Sequence, residues 1–218
     1  MKRIAAFFLI LFCAEAQTIS LPLLKRDWSF TAYEGASTKL GNNASGDLIF
    51  TFPQSCAVPQ TCVDPSTVNY LQTSYTKSLA KEHYISVTME SAFTPGTQFI
   101  YSWNGDGNTC VYDAHARVII EQRHDTGGQY MRWWSNPLAY DLTTGGIQTV
   151  TTPLTSDQWS SVYGQFGNSN AQAAAGFVRA LSNVGLLGLT FGGGCFFGHG
   201  VDVLAGTATF NLISFEIK

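Results

Sequence analysis

Arg117, Glu121, Arg123, Tyr130, Arg132 and Trp134 all fall in one stretch, RVIIEQRHDTGGQYMRWW, residues 117–134. Guanidinium and carboxylate groups bond hydroxyls or anions in pairs, and flat rings cover the C–H face of a sugar, so these residue types together suit carbohydrate recognition. Only 12% of the chain is charged, which makes their gathering here informative. Read as two strands about a turn at Asp125-Thr126-Gly127-Gly128, the stretch sets Arg123 opposite Tyr130, Glu121 opposite Arg132 and Ile119 opposite Trp134. Alternation then collects Arg, Glu, Tyr, Arg and Trp on one wall. It turns Val118, Ile120, Met131 and Trp133, with Gln122, toward a core. A plainer role is also open, in which Glu121 and Arg132 form a cross-strand ion pair on a solvated face.

Other chemistries have weaker support. RVIIEQR resembles the arginine-rich strand of jelly-roll polysaccharide lyases, with Arg117, Glu121 and Arg123 in similar alternation. Those enzymes neutralise a uronate and abstract a proton with Tyr or His, for which Tyr130 or His124 would stand here. Their Gln-Ile-His strand and Tyr-rich closing motif are missing. A glycosidase needs two carboxylates on one cleft, and Glu90 with Glu121 is the pair to consider. No Gly-x-Ser-x-Gly marks a nucleophile, and the four histidines are scattered. Asn104, Asp106 and Asn108 alternate as in a calcium loop but lack the later bidentate carboxylate, so a hairpin turn is expected. The stretch Gly192–Gly200, with Phe196, Phe197 and His199, reads as a disulfide-anchored connection or the lining of a pocket. No cofactor or metal is expected.

The elements that must position these residues are strands. Runs beginning at Trp28, Asp47, His83, Gln98, Pro137, Ile147, Gln158, Gly185 and Thr207, with the hairpin, recur at short spacing between Gly, Pro and Asn turns. That pattern predicts an all-β fold, a single β-sandwich of jelly-roll type. One helix is predicted in NAQAAAGFVRALSNV, with Phe177, Leu181 and Val184 on one side. In HYISVTMES, alternation turns Ile85, Val87 and Met89 inward. Tyr84 and Glu90 would extend the polar wall if this strand shared its sheet.

The N-terminus predicts export. Lys2 and Arg3 precede an apolar run and Ala14-Glu15-Ala16, a signal peptide over residues 1–16 with cleavage after Ala16. Residues 17–27 follow as a lead-in linker, and residues 28–218 as the sandwich. Cleavage leaves ten basic against fourteen acidic residues, a net charge of −4, which argues against nucleic acid and anionic membranes as partners. The apolar run is too short to span a bilayer. Cys56, Cys62, Cys110 and Cys195 remain, an even set that predicts disulfides, Cys56 with Cys62 and Cys110 with Cys195 being the favoured pairing. In the chain-entropy model the longer loop contributes roughly 4 to 5 kcal/mol and the short one about 2.4 kcal/mol.

The C-terminal third adds a resemblance. Trp159, then Phe177, Leu181 and Val184, then Leu187–Leu189 and the run to Ile217 follow an order that resembles carbohydrate-binding modules and the galactose-binding-like jelly roll. About 60 residues, mostly core positions, carry the likeness. It implies a fold and transfers no ligand residue. The expectation is therefore a secreted or periplasmic, non-catalytic domain that binds a polysaccharide or cell-surface glycan through its Arg/Glu/aromatic face. The alternatives are a lyase-like or glycosidase enzyme, and a structural or adhesion protein without a small ligand.

Overall fold

The structure, a computed structural model, describes residues 18–33, 38–54, 67–101, 114–193 and 197–218. Its strands are β1 (Ile19–Ser20), β2 (Trp28–Tyr33), β3 (Gly41–Asn42), β4 (Leu48–Thr51), β5 (Thr67–Ser74), β6 (Tyr84–Phe93), β7 (Gln98–Tyr101) and β8 (Ala114–Gln122). There follow β9 (Arg132–Ser135), β10 (Tyr140–Asp141), β11 (Gly146–Pro153), β12 (Trp159–Ser161), the helix α1 (Ala171–Ser182), β13 (Val184–Gly193), β14 (Val201–Ala205) and β15 (Ala208–Ile217). They form two antiparallel sheets, the jelly-roll sandwich expected. The smaller runs β11-β6-β15-β4-β3, with β1 beside β15. The larger runs β12-β9-β8-β13-β5-β14-β7, with β10 beside β8 and β2 beside β5. No helix among the described residues is long and apolar enough to cross a membrane.

Alternation explains which side chains fill the space between the sheets. Ile85, Val87 and Met89 of β6 are buried, as are Val118 and Ile120 of β8 and Leu187 and Leu189 of β13. On β15 a register shift between Leu212 and Ser214 breaks strict alternation and lets Leu212 and Phe215 both reach the core. Phe50, Phe191 and Phe210 meet at its centre, with centroids 5.1 to 5.5 Å apart. Tyr140 clamps the two layers together: its hydroxyl donates to the Gly146 carbonyl at 2.8 Å and accepts the Ser91 N–H at 2.6 Å. Burial pushes that hydroxyl up to about 12.

The helix closes one end of the core. Asn170 caps it by accepting the Ala173 N–H at 2.9 Å, and Phe177 and Leu181 point inward as predicted, while Val184 already belongs to β13. Phe177 packs edge-on against Trp133 at 5.2 Å.

Besides the two-residue β1 and β3, two strands were not legible from pattern. In β5 polar and apolar residues do not alternate, because it lies inside the larger sheet and is buried on both faces, and β14 is only five residues long. Residues 19–20, in the expected lead-in, pair with Ile217 and Glu216 of β15, and Trp28 Nε1 donates to the Pro22 carbonyl at 2.9 Å. The signal segment, the Asn104–Asn108 turn and all the cysteines lie outside the described residues.

Candidate functional site: a cleft on the larger sheet

The expected register holds where it matters most. Glu121 pairs with Arg132, Ile120 with Trp133 and Ile119 with Trp134. Trp133 accordingly enters the core, and Arg132 and Trp134 face outward with Arg117 and Glu121. Beyond Glu121 the hairpin departs from the expected tight turn. The last ladder bond runs from Gln122 N to the Met131 carbonyl, and residues 123–131 form a longer loop in which His124 adopts φ 59°.

That longer loop removes three residues from their expected places. Arg123 turns away to donate to the Thr76 carbonyl at 3.0 Å. Met131 stays partly exposed, its sulfur 3.4 Å from Thr126 in the loop instead of in the core. Tyr130 leaves the wall altogether, stacking on Trp133 at 6.0 Å and packing against the core. Gly176 of α1 permits this, since a Cβ there would lie 2.6 Å from that of Tyr130. Nor does β6 extend the wall. It belongs to the smaller sheet, so Tyr84 and Glu90 face the opposite side of the molecule, where Glu90 accepts from Asn211 at 2.6 Å. Glu90 and Glu121 therefore share no cleft.

What the sheet does assemble is a cleft of about 910 Å³ on the outer face of β5, β13, β8 and β9. Of the six expected residues, Arg117, Arg132 and Trp134 line it. Thr190 of β13 pairs with Tyr70 on one side and Arg117 on the other, which lays these three side by side across the floor. His115, two residues before Arg117, continues the same face.

Two loops build its walls. The segment after β13 is pinned to the sheet by Gly200 N donating to the Phe191 carbonyl at 2.9 Å and Asn69 Nδ2 to the Gly198 carbonyl at 3.2 Å. Gly198 and Gly200 adopt φ of 82° and 105°, the left-handed region that lets this loop turn sharply over Tyr70. It delivers Phe197 and His199 to the cleft, and burial lowers the His199 imidazole from its ordinary value. The opposite wall is the turn after β12, closed by Gly164 N donating to the Ser161 carbonyl at 2.8 Å. It presents Val162 and Tyr163, the latter 74% exposed. Gln165 fixes that turn from behind by accepting the Tyr130 hydroxyl at 2.7 Å and Gln129 Nε2 at 2.9 Å. Tyr130 thus supports the cleft from outside it.

The charges in and beside the cleft are treated differently. Burial works against the Arg132 charge, but a hydrogen bond from Nε to Asp125, with Glu121 Oε2 at 3.6 Å, raises its pKa above the ordinary value. Burial raises the Glu121 pKa in turn, Arg132 opposing it. Arg117 has no carboxylate partner among the described residues. It donates to the Ser135 carbonyl at 3.2 Å and lies 4.1 Å from the centre of the Phe197 ring. Desolvation pushes it down to about 10. Trp134 Nε1, Ser161 Oγ and Thr190 Oγ1 are buried and find no hydrogen-bond partner among the described residues.

Sequence reasoning missed Tyr70, Tyr163 and the placement of His115, because strands distant in sequence carry them to the cleft. Only the aromatic, His-bearing stretch near Phe197 gave a local signal.

The fold and the cleft define a jelly-roll sandwich with an aromatic and cationic groove on one sheet. No protein-family model matches the chain, and no curated protein matches it in sequence. Among solved structures it is similar to a xylan-binding module, CBM15, with a TM-score of 0.42 and 9% identity over 90% of this chain and 97% of that one. It is also similar to the xyloglucanase domain of NopAA, a type three effector from Sinorhizobium fredii, with a TM-score of 0.33 and 8% identity over 93% of this chain and 96% of that one. A family 12 xyloglucanase from Bacillus licheniformis has a TM-score of 0.34 and 9% identity over 93% and 99%. No residue role is transferred across likenesses of this size.

Proposed function

We propose that the chain is an exported, non-catalytic domain that binds a polysaccharide or cell-surface glycan in the cleft of its larger sheet. The observation that carries this reading is the convergence of an exposed ring with a polar floor. Tyr163 stands at the rim, open to stack on a sugar face, while Asn136, Arg117 and Arg132 offer hydroxyl-bonding groups below it. A volume of about 910 Å³ suits a short run of sugar rings. The basic start, apolar run and Ala14-Glu15-Ala16 support export.

The non-catalytic part of the reading is supported by where the carboxylates lie. None lines the cleft among its described residues, and Glu121 beside it is engaged with Arg132. One observation favours a second reading, polysaccharide lyase: Tyr70, His115 and His199 line the same cleft as Arg117, and a Tyr or His base in one site with an arginine is what proton abstraction next to a uronate requires.

Affinity electrophoresis of the mature chain against a broad polysaccharide panel tests the main reading. Retention is expected on at least one polymer, with Tyr163→Ala weakening it about threefold to tenfold. Its melting temperature should stay that of the parent, because Tyr163 is 74% exposed. Retention on no polymer would sink the reading. Release of unsaturated products absorbing in the ultraviolet would replace it with the lyase.

A further inference from the structure

We propose that the cleft takes an anionic glycan and that Arg117 seats the carboxylate or sulfate group of one of its sugar rings, an inference that rests on the carbohydrate reading above. Acidic residues outnumber basic ones in the chain, 15 to 12, yet no carboxylate stands among the described residues that line the cleft. The two guanidiniums there are not equivalent. Arg132 has its counter-charges in Asp125 and Glu121. Arg117, partly buried on the floor, has among the described residues one backbone carbonyl and one aromatic ring.

A desolvated cation without a counter-ion destabilises the site that holds it, and the depressed pKa of Arg117 reports that cost. A guanidinium carries five N–H donors in a planar fork. Among the described residues one is taken by Ser135, and the Phe197 ring covers a face without accepting any of the others. Guanidinium donors of this kind match a planar carboxylate or a sulfate in paired hydrogen bonds, which a neutral sugar hydroxyl cannot replace in charge. The surroundings agree. His115, His199 and Tyr70 line the same cleft and add further polar groups.

Two matched pairs of polymers test this: a polyuronate with its carboxyl-reduced form, and a sulfated galactan with its desulfated form. Retention is expected on an acidic member and should fall at least about tenfold on its neutral counterpart, the pair that responds identifying carboxylate or sulfate. Arg117→Met should weaken that retention by about tenfold to a hundredfold, and Arg117→Lys should restore part of it. Circular dichroism and the melting temperature of both variants report whether the fold is kept. If Arg117→Met is misfolded, the polymer pairs alone decide the matter. Equal retention on acidic and neutral members, or acidic retention that a folded Arg117→Met leaves unchanged, overturns the proposal while the carbohydrate reading stands. Retention on no glycan overturns both.

Discussion

Glu121 has two unlike neighbours, the Arg132 guanidinium and the Asp125 carboxylate, in a place where burial outweighs the attraction of the first. Its carboxyl group therefore holds its proton more tightly when folded than when unfolded. A carboxylate of this kind contributes stability below its unfolded pKa and loses that contribution as the pH rises through the folded value. Glu121→Gln has no charge to desolvate. Urea midpoints measured from about pH 4 to about pH 7 should thus shift in favour of the variant relative to the parent as the pH rises. A difference that stays flat, or grows in favour of the parent, would show that Arg132 dominates at this residue. Arg117 is the contrasting case: its charge persists at neutral pH although desolvation lowers its pKa to about 10.

At the scale of elements, the cleft depends on loops held from behind. Tyr130 supports the Tyr163 turn through Gln165, and Gly176 supplies the space that Tyr130 occupies beside α1. Tyr140 does the same between layers, since β10 lies on the larger sheet and its hydroxyl bonds Ser91 and Gly146 of the smaller. Tyr140→Phe keeps the ring against Phe210 but leaves the buried Ser91 N–H and the Gly146 carbonyl with one partner fewer. It should cost about 1 to 3 kcal/mol in chemical denaturation. A cost near zero would mean that those backbone groups are satisfied within their own ladder. The register Glu121↔Arg132 follows from the placement of apolar residues alone, because a slip by one would turn Trp133 outward while Val118 and Ile120 stayed in the core.

At the scale of the molecule, the two sheets are joined mainly by apolar packing, and four of the five cysteines, Cys56, Cys62, Cys110 and Cys195, follow the expected signal segment. Gly193 pairs with Ala114, so the segments that lead to Cys195 and Cys110 leave one end of the same strand pair, which supports joining those two. We expect the denatured, unreduced mature protein to expose no titratable thiol, and peptide mapping to recover Cys110 linked to Cys195. Free thiols under those conditions would remove disulfides from the account. Edman sequencing of the exported protein should begin at Gln17.

The sequence by itself determined the class of fold, most of the strands, one helix face and the core half of the hairpin. Each of these depends on a local period: two for strands such as Tyr84–Phe93, about three to four for Phe177 and Leu181. It also singled out Arg117, Arg132 and Trp134, because charges and rings on the outer face of a strand have no core to explain them. Tertiary structure decided the rest. Glu90 could be set against Glu121 only until the sheets were known, and β5 was hidden because a strand buried on both faces shows no alternation. Tyr130 left the wall because an irregular loop has no period, so its direction is set by the cavity that Gly176 leaves. A cleft is a relation among strands far apart in the chain. Tyr70, Arg117, Tyr163 and Phe197 became one site only when pairing through Thr190 and two anchored loops brought them together.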